Sequence, residues 1–297
     1  MELAMFGGNW TTDKLQRIRK YLVAYTTIMR KQNFKQYMYI DAFAGTGWLT
    51  LKQNEQSELQ SELPLFAGIV EQDSKTNLEG SARIALQVEP RFTKYIFVEK
   101  DKKRFEQLEN IKLEFPDRDI SLSNSDANMF IRQICQNQNW IEKRERAVLF
   151  LDPYGMQVPW DTVAAIAQTQ AIDLWYLFPI GVALNRLLKK KGQINESYRQ
   201  KIDIIIGTNE WYNVFYEERK QLGLFGEELD IVKVANFDSI KQYFVGRLKT
   251  IFPGVADHPK LLYNSKNNPL YLLCFASGNR RGSPTAIKIA QDILRRE

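Results

Sequence analysis

Short apolar runs alternate along the chain with longer stretches in which apolar residues recur every three or four positions. The first pattern is typical of buried β-strands and the second of amphipathic helices. Their alternation predicts an α/β fold with a doubly wound, mostly parallel sheet. The predicted strands cover residues 37–40, 93–98, 119–122, 147–151, 172–178, 261–263 and 270–276, and the predicted helices cover 78–88, 102–115, 128–138, 160–168 and 283–296.

The N-terminal stretch has the pattern of one long helix. Its recurring apolar residues are Leu15, Ile18, Leu22, Tyr25 and Met29, and its candidate caps are Thr11, Thr12 and Asp13. Its other face carries Lys14, Arg17, Lys20 and Lys31. We interpret this basic face as solvent-exposed, with contact to nucleic acid as the alternative.

The order of the elements predicts a core with attached segments. We expect an N-terminal helix (1–36), a Rossmann-like core (37–180), a mostly helical, aromatic-rich insertion (181–257), and C-terminal strands and a helix that complete the core (258–297). Apolar runs at 49–52 and 65–70 predict a second, smaller insertion. Ser283 is the predicted cap of the last helix, with Pro284 at its first position.

Composition excludes several classes of protein. The 297 residues are 44% hydrophobic, enough for a sizeable core, and no apolar run is long enough to span a membrane. With no signal peptide at the N-terminus, we expect a cytoplasmic protein. Cys135 and Cys274 support neither a disulfide framework nor a metal site, and the single histidine, His258, fits a surface turn. The net charge of +6 is weak evidence for a polyanionic partner.

A glycine loop follows the first predicted strand. Asp41 ends the strand, and the loop Phe43, Ala44, Gly45, Thr46, Gly47 follows. A dinucleotide site requires a third glycine that opens directly into a helix, and this chain lacks it. A carboxylate at position 41 is suited to hold the positively charged methionyl end of S-adenosylmethionine, directly or through the loop.

Two further carboxylates follow the next strands. Glu99, at the end of the second strand, has two acceptor oxygens for the two ribose hydroxyls of the cofactor. Its competitor Asp101 fits better as a helix cap. Asp126, after the third strand, is suited either to accept the adenine amino group or to cap the next helix.

A second chemical motif, Asp152-Pro153-Tyr154-Gly155, follows the fourth strand. Methylation of an exocyclic base amine requires acceptors for both amino hydrogens and a ring that stacks on the base. Asp152 and the carbonyl of Pro153 would be those acceptors, and Tyr154 would be the ring. The alternative is an ordinary turn between strand and helix. Because the motif shares a sheet edge with the glycine loop, we expect a doubly wound sheet of the S-adenosylmethionine-dependent methyltransferase type.

A family resemblance covers nearly the whole chain. The segments that carry it are Tyr-Ile-Asp-Ala-Phe-Ala-Gly-Thr-Gly, Gly80-Ser81, Phe-Val-Glu-Lys-Asp, Phe-Leu-Asp-Pro-Tyr-Gly-Met-Gln-Val and Asn-Pro-Leu-Tyr-Leu-Leu. In this order they resemble the three-Cys-motif partner proteins. The resemblance implies a methyltransferase-like Rossmann fold and a separate partner with a three-cysteine, iron–sulfur or radical-type motif. More distantly, the chain resembles amino methyltransferases of nucleic acids, which carry a second proline that is absent here.

The motifs together predict an S-adenosylmethionine-dependent methyltransferase that acts on an exocyclic amino group of a DNA or RNA base. One alternative is an inactive binding partner of the three-cysteine protein, and the other is a methyltransferase for small molecules or proteins. The basic runs Lys189-Lys190-Lys191 and Arg280-Arg281 are predicted to end a helix and form a turn, with phosphate contact as the alternative.

Overall fold

The computed structural model describes residues 9–49, 78–223 and 226–296. Within them, the strands of the central sheet are β1 (Gln36–Asp41), β4 (Lys94–Val98), β5 (Ile120–Ser123), β6 (Glu145–Leu151), β7 (Ile172–Phe178), β10 (Gly254–Val255), β11 (Lys260–Tyr263) and β12 (Pro269–Ser277). Their order in the sheet is β10-β12-β7-β6-β1-β4-β5, and β11 pairs with β12.

The connections confirm the predicted doubly wound, mostly parallel sheet. From β1 the chain runs outward through β4 to β5, returns to the other side of β1 as β6, and continues outward to β7. These five strands are parallel, and β12 is antiparallel to β7. The strand order therefore reverses between β1 and β6, and open α/β sheets bind ligands at the carboxyl ends of strands at such a point.

Helices cover both faces of the sheet. They are α1 (Asn9–Met29), α2 (Ser81–Leu86), α3 (Lys102–Glu114), α4 (Ala127–Asn137), α5 (Trp160–Gln168), α6 (Asn185–Leu187), α7 (Glu196–Ile206), α8 (Trp211–Phe215), α9 (Phe237–Lys249) and α10 (Ser283–Arg295). Helices α1, α2, α3 and α10 pack on one face, and α4, α5, α7 and α9 pack on the other. Two apolar cores therefore hold the sheet, because its central strands β6 and β7 bury side chains on both faces.

Helix α1 differs from its prediction at its start and on one face. It already begins at Asn9, so Thr11, Thr12 and Asp13 lie inside the helix and do not cap it. Lys14 and Arg17 are buried rather than solvent-exposed, whereas Lys20 and Lys31 are exposed. The Arg17 guanidinium donates to the carbonyls of Ile293 and Arg296, at the end of α10, so it ties the first helix to the last.

The C-terminal region also differs from its prediction. Helix α10 has Gly282 as its N-cap, so Ser283 is its first residue, and the Ser283 hydroxyl donates to the Arg280 carbonyl. Strand β10 belongs to the central sheet, so the C-terminal part of the core begins before residue 258. His258 lies in an exposed turn, as predicted.

The segment from 181 to 257 is less helical than its aromatic-rich sequence predicts. A π-helical turn (Ile180–Leu184) leads into α6, α7 and α8, and a hairpin of β8 (Tyr216–Gly223) and β9 (Gly226–Lys233) precedes α9. Both hairpin strands are rich in charged residues and lack the apolar–polar alternation that predicts a half-buried strand.

The smaller predicted insertion lies mostly outside the described residues. The predicted strand at 65–70 and most of the one at 49–52 belong to that part. What the structure describes there is a short pair of strands, β2 (Trp48–Leu49) and β3 (Leu78–Glu79). Among the described residues, the structure has no helix with the length and apolar character that crossing a membrane requires.

Candidate active site

Asp41 lies at the carboxyl end of β1, fully buried beneath the glycine loop. One carboxylate oxygen accepts the backbone N–H of Phe43 at 3.3 Å, and the other accepts the Tyr39 hydroxyl at 3.4 Å. Burial is the main cause that raises the pKa of Asp41 to about 7, and nearby Asp152 raises it further. The sequence suggested that Asp41 holds a cofactor either directly or through the glycine loop. Because the Asp41 side chain is fully buried, it can act on a ligand only through the loop.

Backbone hydrogen bonds fix the conformation of the glycine loop. Ala44 donates its N–H to Val98 at 3.0 Å and accepts the N–H of Gly47 at 3.3 Å. Gly45 and Gly47 have φ values of +59° and +77°, which favour glycine over residues with a Cβ. The backbone N–H of Gly80 donates to the Gly47 carbonyl at 3.0 Å, and a Cβ on Gly80 would lie only 2.8 Å from that oxygen. Gly80 therefore fixes the far end of the loop.

Glu99 links the glycine loop to the next strand end. It follows β4, and its carboxylate accepts the N–H of Gly45 at 3.0 Å and the N–H of Asp101 at 2.8 Å. Burial raises its pKa, although both backbone N–H groups favour the ionised form. Each oxygen keeps a lone pair, so the carboxylate can accept two further hydrogen bonds.

A cavity of about 820 Å³ opens beside these strand ends. It brings together four of the predicted site residues, namely Phe43, Glu99, Asp126 and Tyr154. A cavity of this size is typical of sites for small molecules and cofactors. Its other charged lining residues are Lys100, Asp101, Lys102, Arg104 and Lys201.

Asp101 and Asp126 are both helix caps. Asp101 accepts the N–H of Arg104 at 2.8 Å at the start of α3, as predicted. Asp126 accepts the N–H groups of Asn128 and Met129 at 3.0 and 3.2 Å at the start of α4. Asp126 also forms an ion pair with Lys100 at 3.3 Å and lines the cavity. It can therefore cap the helix and contact a ligand at the same time.

Asp152, at the end of β6, forms an ion pair with Lys14 of α1. The Lys14 side chain is 3% exposed and that of Asp152 is 22% exposed. The ammonium also lies 5.1 Å from the ring centroid of Trp10 and 5.9 Å from that of Phe150. A buried lysine requires an anionic partner, and Asp152 is that partner here.

The residues after Asp152 form a turn that faces the cavity. Pro153 is buried, and Gly155 has a φ of +72°. The half-buried Tyr154 donates its backbone N–H to the side chain of Gln157 at 3.2 Å. The Arg104 guanidinium lies 5.3 Å from the Tyr154 ring centroid, a cation–π distance. The turn is thus a structural element and also presents an aromatic ring to the cavity.

The sequence did not identify the five cationic residues of this region, namely Lys14, Lys100, Lys102, Arg104 and Lys201. Lys14 was predicted to lie on the solvent-exposed face of α1. It lies seven and eleven positions before Tyr21 and Tyr25, which are buried, so all three lie on the same face of the helix. Arg104 and Lys201 belong to different helices, and nothing in their local sequence places them at one cavity. The lysines at 189–191 are exposed and do not line the cavity.

Comparisons with solved structures show what the fold is similar to. A protein of family DUF519 from Legionella pneumophila is 11% identical, with a TM-score of 0.51, over 97% of this chain and 92% of that one. An S-adenosylmethionine-dependent methyltransferase from Clostridium acetobutylicum is 10% identical, with a TM-score of 0.31, over 88% of this chain and 92% of that one. At these identities the likeness concerns the fold alone, and the second score is too low to carry an argument.

Sequence comparisons add no family. The chain matches no family model, and a search of curated proteins finds no match. The resemblance to the three-Cys-motif partner proteins therefore stays a prediction. The structure itself has a mixed α/β architecture with a mostly parallel, doubly wound central sheet.

Proposed function

We propose that the protein is an S-adenosylmethionine-dependent methyltransferase that acts on an exocyclic amino group of a nucleic-acid base. One observation carries the proposal. Glu99 and Tyr154 follow two different strands, β4 and β6, on opposite sides of β1, yet both line one cavity. A methyltransferase requires this arrangement, because the cofactor and the acceptor must meet at one point.

The residues at one end of the cavity fit the cofactor. Glu99 would offer its remaining lone pairs to the ribose hydroxyls, and Asp126, which lines the same cavity, would accept the adenine amino group. At Gly45, a Cβ would have no heavy atom within 4 Å, so the loop leaves open space for a ligand beside its backbone. Asp41 holds this loop from below through Phe43. Bound there, S-adenosylmethionine supplies an electrophilic methyl group on its sulfonium.

The turn that presents Tyr154 to the cavity fits a base. Tyr154 lines the cavity and would provide a ring on which an extruded base stacks. Asp152 and Pro153 precede it in the same turn without lining the cavity, and the Asp152 carboxylate and the Pro153 carbonyl would accept hydrogen bonds from the base amino group. These hydrogen bonds would free the nitrogen lone pair from conjugation with the ring. The proton that the amine loses on methylation would pass to the Asp152 carboxylate or through it to solvent, and S-adenosylhomocysteine would be the leaving group. Lys14 holds the Asp152 carboxylate in place during this step.

The charges around the cavity favour a polyanionic substrate. Four cationic residues line it, namely Lys100, Lys102, Arg104 and Lys201, and they outnumber the three lining carboxylates, Glu99, Asp101 and Asp126. Three of the cations lie at the start of α3 or just before it, and Lys201 extends from α7 of the insertion. Cations around a cavity that takes up a base are suited to the flanking phosphates.

The proposal is tested by incubating the purified protein with isotopically labelled S-adenosylmethionine and nucleic acid. We expect label in the amino group of one base, in DNA or in RNA, after digestion to nucleosides and mass spectrometry. Label that appears only in protein or in small molecules contradicts a nucleic-acid substrate. It would favour a methyltransferase for small molecules or proteins, one of the alternatives expected from the sequence.

A second candidate function is a binding module without catalysis that acts beside a three-cysteine protein. The Lys14–Asp152 ion pair favours it, since one Asp152 oxygen already accepts from an ammonium. The missing second proline of the motif agrees with it as well. In that case the cavity would bind cofactor, and no substrate would be methylated.

A further inference from the structure

A second cavity lies at the opposite edge of the sheet. Its volume is about 510 Å³, and it lies between α1, α10 and the amino-terminal ends of β6 and β7. Arg146 lines it near the start of β6, six residues before Asp152. At roughly 3.3 Å per strand residue this is about 20 Å along the strand. The second cavity is thus distinct from the candidate active site.

Two buried donors at this cavity lack a partner among the described residues. They are the hydroxyl of Tyr25 and the Nε of Arg146. Tyr25 is 8% exposed, and burial raises its pKa, so the hydroxyl keeps its proton and stays a donor. Buried donors without a partner are costly, on the order of 1–3 kcal/mol each, so a small side-chain rotation that turns either donor onto an acceptor in the cavity is favoured.

The charge of the lining favours an anion. Arg146 and the exposed Arg281 are its cations, and Asp173 is its carboxylate. Asp173 is already satisfied, because it accepts the Tyr21 hydroxyl at 2.7 Å and the Ser277 hydroxyl at 2.6 Å. Burial lowers the pKa of Arg146, and nearby Tyr25 and Asp173 offset part of this effect.

The rest of the lining is apolar or aromatic. The Arg146 guanidinium lies 4.6 Å from the ring centroid of Phe34, which orients it. Ile28, Met29 and Ile289 form the apolar part. A ligand with an anionic head and a flat or apolar body satisfies both parts.

We propose that this second cavity binds a small aromatic anion, with its phosphate or carboxylate head on Arg146, Arg281 and the Tyr25 hydroxyl and its ring against the apolar lining. The site is independent of the function proposed for the strand ends at the other edge. Nothing in the candidate active site requires it.

Phenyl phosphate is the probe that tests this proposal, with benzoate as the carboxylate counterpart and phenol as the uncharged control. Titration of the full chain by calorimetry is expected to show one phenyl phosphate or benzoate per chain and at least tenfold weaker binding of phenol. The stronger of the two anions identifies the head group. Failure of both anions to bind overturns the proposal.

Matched variants locate the binding. Arg281→Gln removes an exposed cation of the cavity, and Arg280→Gln removes its exposed neighbour, which does not line it. We expect Arg281→Gln to weaken phenyl phosphate about tenfold, the effect of losing one charge-assisted hydrogen bond. Arg280→Gln should change it less than twofold. Tyr25→Phe keeps the ring and removes the hydroxyl, and should weaken binding severalfold.

The same variants separate a small anion from nucleic acid. If single-stranded oligonucleotides lose affinity in Arg281→Gln while phenyl phosphate and benzoate do not bind, the cavity belongs to a nucleic-acid surface and the proposal is wrong. If the anions bind equally well to the parent, Arg281→Gln and Tyr25→Phe, they bind elsewhere, and the proposal is also wrong.

Discussion

Lys14, near the start of the first helix, forms a buried ion pair with Asp152, at the end of β6 and 138 residues away in sequence. The pair connects α1 to the carboxyl edge of the sheet, where the candidate catalytic turn begins. Lys14 is the more deeply buried partner, so removing Asp152 should destabilise the protein more than removing Lys14.

The first prediction concerns the stability of this pair. Asp152→Ala leaves a buried ammonium without a counter-charge and should lower the free energy of unfolding by about 3 kcal/mol. The double variant Lys14→Met/Asp152→Ala should recover part of that loss, because it removes the unpaired charge as well. Urea unfolding measures both values.

The control is the exposed pair Lys249–Asp257, whose side chains are 53% and 61% exposed. Asp257→Ala should cost less than about 1 kcal/mol. If Asp152→Ala destabilises the protein no more than Asp257→Ala, the Lys14–Asp152 pair is not a buried pair in solution.

The second prediction concerns the cofactor and Glu99. In Glu99→Gln the amide has a single acceptor oxygen, so one of the two backbone N–H groups of Gly45 and Asp101 loses its partner. Affinity for S-adenosylmethionine should fall by about 1.5–3 kcal/mol, the range of hydrogen bonds to charged groups. Isothermal calorimetry measures it.

Glu109→Gln on the exposed side of α3 is the matched control and should leave the affinity unchanged. An affinity that is equal in the parent and in Glu99→Gln would remove Glu99 from the cofactor site.

The strands of the central sheet could be predicted from the sequence because most of them are buried and apolar. The run 172–178 was predicted with its observed limits, since β7 is buried along its whole length and all of its residues except Asp173 are apolar. The hairpin β8–β9 was not predicted, because its charged sequence lacks the alternation of a half-buried strand.

The candidate site was predictable only in part. Its carboxylates were found because each follows a strand, and the carboxyl ends of parallel strands share one edge. The ion pair of Lys14 was not found, because its partner is distant in sequence and a lysine on a helix is ordinarily solvent-exposed. The placement of Lys201 depends on how α7 packs, which local sequence does not encode.

The third prediction is a pH dependence of stability from Asp41. Its folded-state pKa of about 7 lies above the usual 3.8, so between these values the folded protein holds a proton that the unfolded chain releases. Stability from this group is therefore full at low pH and falls as pH rises through that window, by at most about 1.4 kcal/mol per pH unit.

Asp41→Asn should lack this contribution. Urea unfolding of the parent and of Asp41→Asn across the same window should show the variant gaining stability relative to the parent as pH rises. Parallel stability curves would mean that Asp41 is not a buried carboxyl with a raised pKa.

The fourth prediction concerns nucleic-acid affinity. Lys201→Glu reverses a charge that lines the cavity, whereas Lys191→Glu makes the same change at an exposed site outside it. If Lys201 contacts a phosphate, Lys201→Glu should weaken binding of an oligonucleotide and reduce the slope of log affinity against log salt by about 1. Fluorescence anisotropy at several salt concentrations measures the slope, and equal slopes for both variants would place nucleic acid elsewhere.

The most direct measurement is single-turnover methyl transfer to the nucleic acid identified by labelling, compared among the parent, Asp152→Asn and Tyr154→Phe. Asp152→Asn keeps the size of the side chain but loses the negative charge that polarises the amine and pairs with Lys14. In the fraction that remains folded, the chemical step should slow by about 100-fold while cofactor affinity changes little. Tyr154→Phe keeps the stacking ring and should slow it only slightly. Transfer by Asp152→Asn at the rate of the parent would contradict the account and make Asp152-Pro153-Tyr154 a structural turn.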